Sequence, residues 1–80
     1  MIFLVEYDRH NGRLVSLSKF DDSERSKAED FRIELEVALN KQGVSREIVL
    51  LQAETEHALR QTHRRYFEEL RELVKSSAVD

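Results

Sequence analysis

The sequence predicts an α+β fold with the element order β-β-α-β-α, on three observations. Two β-prone runs flank a short loop that contains Asn11-Gly12, which is typical of a hairpin. Residues 2–7 and 48–53 carry apolar side chains on both faces of an extended chain, which indicates buried strands. Two further stretches, on either side of Gly43, carry apolar residues at helical spacing. Together these patterns predict a three-stranded mixed sheet and two helices.

Length and composition indicate one globular domain that spans residues 1–80. Hydrophobic residues make up 40% of the chain and charged residues 36%, a balance typical of a folded protein. The absence of cysteine excludes disulfides and thiolate catalysis, and it suits a cytoplasmic protein. The start MIFLVEYD lacks a basic segment, and its apolar run ends at Glu6. We therefore expect neither a signal peptide nor membrane association, and no cofactor.

The N-terminal hairpin has two candidate turns. Gly12 either supplies the positive φ of a bulge after a type I turn, or forms a type I′ turn with Asn11. In the second strand, strict alternation places Val15 and Leu17 on one face. Leu14 then lies on the opposite face together with two serines. We expect this partly polar strand at the edge of the sheet.

Capping signals bound the first helix at both ends. Asp21 and Glu24 form a capping-box pattern, and Gly43 suits the left-handed conformation that ends a helix. Five apolar residues fall on one stripe of this helix: Ala28, Phe31, Leu35, Ala38 and Leu39. The segment REIVLLQAE then predicts the third strand. A second helix is expected from about Thr55 to about Ser76.

The connection through the first helix constrains the order of the strands. A right-handed crossover is expected from the second strand, through this helix, to the third. The first strand is the most apolar of the three, which favours a central position and the order 2-1-3. The order 1-2-3 also satisfies the pattern.

A sheet that is apolar on both faces needs cover on both faces, and two arrangements supply it. Either the two helices lie on opposite faces, or both lie on one face and a second protein chain covers the other. Because one helix covers most of a narrow sheet, the second arrangement is favoured and predicts a homodimer. The candidate residues for self-association are Phe3, Val5, Tyr7, Val49, Leu51, Ile33 and Val37.

The sequence carries no recognisable catalytic or metal-binding motif. His57 and His63 are separated by about 240° around one helix, so they do not form a metal site on one face. Antiparallel strands would separate Asp8 from Glu54 by the length of a strand. A small binding protein without catalytic activity is the leading interpretation. An enzyme with a site near His63 is the least favoured of the alternatives.

One side of the second helix carries a basic stripe. Its candidate residues for binding an anion or a partner are His57, Arg60, Arg64, Arg71 and Lys75. A nucleic-acid-binding regulator is therefore the second interpretation, with the stripe in contact with a phosphate backbone. The other reading of the same residues is a solvated helix face with local ion pairs such as Arg64–Glu68.

Overall fold

The structure, a computed structural model, describes residues 1–67. Its elements are β1 (Ile2–Asp8), β2 (Arg13–Phe20), α1 (Arg25–Lys41), β3 (Glu47–Gln52) and α2 (Glu56–Thr62). Short 3-10 turns cover Asp22–Glu24, just before α1, and Arg64–Tyr66, just after α2. The predicted α+β class and the N-terminal hairpin are confirmed. Within the described residues, no helix is both long enough and apolar enough to cross a membrane.

The sheet has the predicted strand order β2-β1-β3, with β1 in the centre. Both neighbours of β1 run antiparallel to it. The expected mixed sheet is therefore wrong in one respect, because residues 1–67 contain no parallel strand pair. The strands β2 and β3 do run in the same direction, as the crossover requires, but β1 separates them.

The hairpin uses Gly12 in the left-handed conformation, with a φ of 66°. Asn11 does not share this conformation, which excludes the type I′ turn. The pairing of β1 with β2 shifts between Glu6 and Tyr7, so that Tyr7 lies opposite Leu14 and leaves Val15 as an extra residue. The predicted alternation in β2 is therefore wrong: Leu14 shares a face with Leu17, and Val15 is exposed.

Both ends of α1 follow the predicted signals. The Glu24 carboxylate accepts a hydrogen bond from the Asp21 backbone N–H at 3.0 Å. At the other end Gly43 has a φ of 68°, and the Val44 N–H donates to the Leu39 carbonyl at 2.9 Å. This is the Schellman arrangement, which satisfies carbonyl groups of the last helical turn. Glycine is required there because an L side chain rarely adopts that φ.

The second helix begins as predicted but ends early. The Thr55 side chain accepts a hydrogen bond from the Ala58 N–H and caps the helix. The backbone leaves the helical region at His63, with φ −123° and ψ 50°, before the 3-10 turn. The expected continuous helix to Ser76 is therefore interrupted at His63. The part of that prediction beyond residue 67 lies outside the described residues.

Two apolar cores lie on the two faces of the sheet. The α1 face presents Ile2, Leu4, Glu6 and Asp8 of β1, and its core combines Ile2, Leu4, Phe20 and Ala28 with Ile48 and Leu50. The α2 face presents Phe3, Val5 and Tyr7, and its core combines Val5, Tyr7 and Tyr66 with Leu14, Leu17, Val49, Leu51 and Phe67. The structure therefore has α1 and the segment after α2 on opposite faces, and not the arrangement that the sequence favoured.

Candidate interaction surfaces

The residues predicted to mediate self-association divide into two groups. Phe3 and Val5 have no exposed surface and Tyr7 is 9% exposed, because the chain itself covers the α2 face. These three need no second chain to cover them. The other four lie nearer the surface: Val49 and Leu51 are half-buried in β3, and Ile33 and Val37 are exposed on α1. The prediction of self-association now depends on these four residues.

Helix α1 carries the largest exposed apolar side chains of the described chain apart from those of Met1 and Val15. Phe31, Ile33 and Val37 are 49%, 51% and 47% exposed. Phe31 contacts the Phe20 ring, with the centroids 5.7 Å apart, so part of it belongs to the core. Ile33 and Val37 lie on the opposite side of α1 from Ala28 and Leu35. Ile33 and Val37 therefore face away from the sheet and, unlike Phe31, are not partly exposed members of the core.

Among residues 1–67, no strand pairs with the outer side of β3, which is an open backbone edge of the described sheet. The Ala53 N–H donates to the Met1 carbonyl at 3.1 Å, so the odd-numbered residues of this segment point their backbone groups toward β1. The even-numbered residues Ile48, Leu50 and Gln52 consequently point theirs outward. The side chains from Ile48 to Leu51 are all half-buried and all apolar. β3 thus combines outward-pointing backbone groups with incompletely covered apolar side chains.

The opposite edge, formed by β2, has a different character. The bulge at Val15 interrupts its regular ladder, and its exposed residues are mostly polar or charged, among them Ser16, Ser18 and Lys19. A bulge and a lysine on an edge strand both discourage the addition of a further strand. Of the two edges of this sheet, β3 is therefore the better site for contact with another chain.

The described chain contains three of the five residues of the predicted basic stripe, His57, Arg60 and Arg64, and all three are exposed. Arg60 pairs with Glu56 at 3.0 Å, and its guanidinium lies 4.5 Å from the centroid of the Phe67 ring. His57 is exposed on α2, whereas Arg64 lies beyond the break at His63, which alters the helical phase. Arg71 and Lys75 lie outside the described residues. The basic stripe as a nucleic-acid surface therefore stays a prediction.

A buried charged cluster on the α1 face was not predicted. Glu6 and Asp8 are 8% and 9% exposed, and Arg46 lies 3.8 Å from the carboxylate of Glu6 and 3.7 Å from that of Asp8. The Ser16 hydroxyl also donates to Glu6 at 3.2 Å. The β1–β3 register pairs Tyr7 with Glu47, and one further step along it places Arg46 opposite Asp8. This register is the feature that would have predicted the cluster. The register cannot be read from the composition of either strand alone.

Asp8 also holds the hairpin loop together. Its carboxylate accepts hydrogen bonds from the backbone N–H groups of His10 and Asn11 and from the Asn11 side chain at 2.6 Å. The Asn11 hydrogen bonds, with a smaller contribution from the Arg46 charge, hold the pKa of the Asp8 carboxyl below its ordinary value. The charge of Asp8 is thus used to build the turn.

A second polar cluster fixes the chain on the α2 face. The Tyr66 hydroxyl donates to the Glu47 carboxylate, and Arg65 donates to the same carboxylate at 2.7 Å and to the Tyr66 oxygen at 2.8 Å. The Tyr66 ring meets the Tyr7 ring edge-on, with centroids 5.3 Å apart. Burial and the hydrogen bond to Glu47 raise the pKa of Tyr66. This contact ties the segment after α2 to both β1 and β3.

Comparison with known proteins supplies no activity for this chain, since no protein-family model, curated protein or solved structure matches it.

The residues considered for catalysis or metal binding lie apart from one another. His63 is half-buried at the end of α2, with its ring centroid 6.4 Å from that of Tyr66. Asp8 and Glu54 lie at opposite ends of the antiparallel β1–β3 pair. Within residues 1–67, no three His, Asp or Glu side chains are grouped so that they could hold a metal ion.

Proposed function

We propose that this protein is a small interaction protein without catalytic activity and that it acts as a homodimer. The observation that carries the proposal is the location of the uncovered apolar surface. Ile33 and Val37 are exposed on α1, and the run from Ile48 to Leu51 is half-buried on the neighbouring edge strand. Exposed apolar side chains beside a half-buried apolar edge strand are typical of an association surface.

The pairing of the carboxylates of β1 and β3 with their own neighbours supports a binding role. Glu6 and Asp8 are held by Arg46, Ser16 and the hairpin loop, and Glu47 is held by Arg65 and Tyr66. Carboxylates that are neutralised by their own neighbours stabilise the fold, whereas a general base needs a carboxylate that can reach a substrate. These clusters therefore favour a structural role for the charges over an enzymatic one.

Sedimentation velocity of the full chain, from low micromolar to near-millimolar concentration, tests the proposed homodimer. We expect a mass that rises from one chain to two with a single midpoint. A mass of one chain at every concentration contradicts the homodimer. A mass that grows without limit contradicts it too, because an isologous dimer buries its contact surface and closes.

A further inference from the structure

The edge of β3 has the properties of a strand that accepts another strand. Its outward-pointing residues are Ile48, Leu50 and Gln52, and no charged residue, proline or bulge interrupts the segment from Ile48 to Gln52. The other edge is interrupted at Val15. An open edge with apolar side chains and free backbone groups is a template for an added strand, and proteins commonly protect such edges.

We infer that a second copy of this chain occupies this edge, so that antiparallel β3–β3 contact joins two sheets into one continuous sheet. The inference rests on the proposed homodimer and gives its geometry. Two identical antiparallel strands are related by a two-fold axis, so both copies use the same surface. The register that uses all three outward-pointing residues places Leu50 on the axis and Ile48 opposite Gln52 of the second copy.

This register also brings opposite charges together at both ends of the new strand pair. Arg46 precedes β3 and Glu54 follows it, so each Arg46 lies opposite Glu54 of the second copy. Arg46 is half-buried and Glu54 is exposed. A shift of the register by one step of the ladder separates these charges. Charge complementarity therefore favours the register that places Leu50 on the axis.

The position of α1 is compatible with such a dimer. α1 lies over β1 and β3, and its residue Arg25 donates to Gln52 at 2.9 Å. Neighbouring strands lie about 4.8 Å apart, and each α1 axis lies about half that distance inward of its own β3. The two α1 axes of the dimer would therefore be about 10 Å apart, a normal distance for packed helices. Arg32 and Glu36 lie on the same side of α1 as Arg25. In the proposed dimer this side of α1 faces the same side of α1 in the second copy.

Residue-resolved amide exchange of the full chain, measured by NMR at concentrations below and above the dimer midpoint, tests this geometry. The N–H groups of Ile48, Leu50 and Gln52 should exchange about tenfold or more slowly in the dimer, because they become hydrogen-bonded across the new strand pair. Val49 and Leu51 serve as internal controls, since their N–H groups already point toward β1. Sedimentation at the same concentrations reports the mass independently.

The outcomes separate the geometry from the homodimer itself. A dimeric mass with fast exchange at Ile48 and Leu50 overturns the β3–β3 contact but leaves the homodimer. A single-chain mass at every concentration overturns both. Slow exchange at these residues in the monomer would mean that another part of the same chain already covers the edge of β3. That result would overturn the inference that a second copy binds there.

Charge reversal tests the register with a matched control. Glu54→Lys places a cation opposite Arg46 of the second copy, so we expect the dimer Kd to rise about tenfold. Glu34→Lys makes the same substitution at an exposed position of α1 near Ser16 and Ser18 of β2, away from the β3 edge, and should leave the Kd unchanged. An equal Kd for the two variants overturns the Arg46–Glu54 register.

Discussion

The strands β1 and β3 are similar in sequence but differ in burial. IFLVEYD and EIVLLQ both carry apolar side chains on two faces. Every residue of β1 is buried, whereas no residue of β3 is. The difference follows from position, because in the described sheet β1 has a hydrogen-bonded strand on each side and β3 has one on a single side. Apolar side chains on both faces therefore identify a strand that is covered on both faces. They do not show whether another strand pairs with each of its edges.

Leu4 and Leu50 give the most direct test of this difference. They are neighbours across the β1–β3 pair, share the α1 face and have the same side chain, but Leu4 is 4% exposed and Leu50 is half-buried. Leu4→Ala should lower the free energy of unfolding by about 3 kcal/mol, and Leu50→Ala by about half of that. Urea denaturation at a low protein concentration measures both values.

The concentration dependence sharpens the same comparison. If β3 forms the dimer contact, the cost of Leu50→Ala increases with protein concentration, because association stabilises the folded chain. The cost of Leu4→Ala should stay constant. Equal costs for both variants at low concentration would show that β3 is covered as fully as β1.

Tyr66 tests how the α2 face of β1 is covered. Tyr66→Phe keeps the ring on Tyr7 but removes the hydroxyl that bonds to Glu47 and Arg65. We expect a loss of about 1–2 kcal/mol in the free energy of unfolding, since the half-buried Glu47 carboxylate loses a donor. Thermal or urea denaturation of the variant measures the loss.

A double-mutant cycle with Glu47→Ala, which removes the acceptor, isolates this contact from other effects of the two changes. The coupling energy should account for most of the loss in Tyr66→Phe. A coupling energy near zero would mean that the segment after α2 is held on the sheet by apolar packing alone.

Local sequence signals predicted the elements well because they act within a few residues. Asp21 with Glu24, Gly43 and Thr55 each mark a helix end through hydrogen bonds to nearby backbone groups, and all appear as expected. The central position of β1 also followed from its apolar content. Boundaries set by backbone chemistry are readable in this chain without knowledge of its tertiary contacts.

The errors came from features that depend on distant residues. The bulge at Val15 depends on how Leu14 meets Tyr7 across the hairpin, and strict alternation does not reveal it. The break at His63 lets Tyr66 reach Glu47, which is a tertiary contact. Helical periodicity continues through His63, so the basic stripe was placed on a helix that the described chain does not continue. Periodicity alone cannot distinguish these cases.

Asp8 gives a test of the buried charges of β1 through pH. Its pKa is lowered in the folded protein, so its charge stabilises the fold above the ordinary carboxyl pKa, and this contribution is lost as pH falls through the folded value. Asp8→Asn should therefore be less stable than the parent at pH 7. The difference should begin to shrink as pH falls below the ordinary carboxyl pKa, and it should vanish only below the lowered folded pKa, where Asp8 is protonated in both states.

Urea denaturation at several pH values measures this difference. Asp30→Asn serves as the control, because Asp30 is exposed on α1 and the same change should produce little difference at any pH. If the gap between Asp8→Asn and the parent is the same at acidic and neutral pH, the effect is steric, and the charge of Asp8 does not stabilise the turn.

Ile33 should give the smallest effect on the isolated chain. Its side chain is 51% exposed on the side of α1 that faces away from the sheet, so Ile33→Ser removes little buried surface. At low concentration we expect a change of at most about 0.5 kcal/mol in the free energy of unfolding, measured by urea denaturation. A cost above about 1 kcal/mol that appears only at high concentration would show that a second chain covers Ile33. The association surface would then extend from the β3 edge across the top of α1.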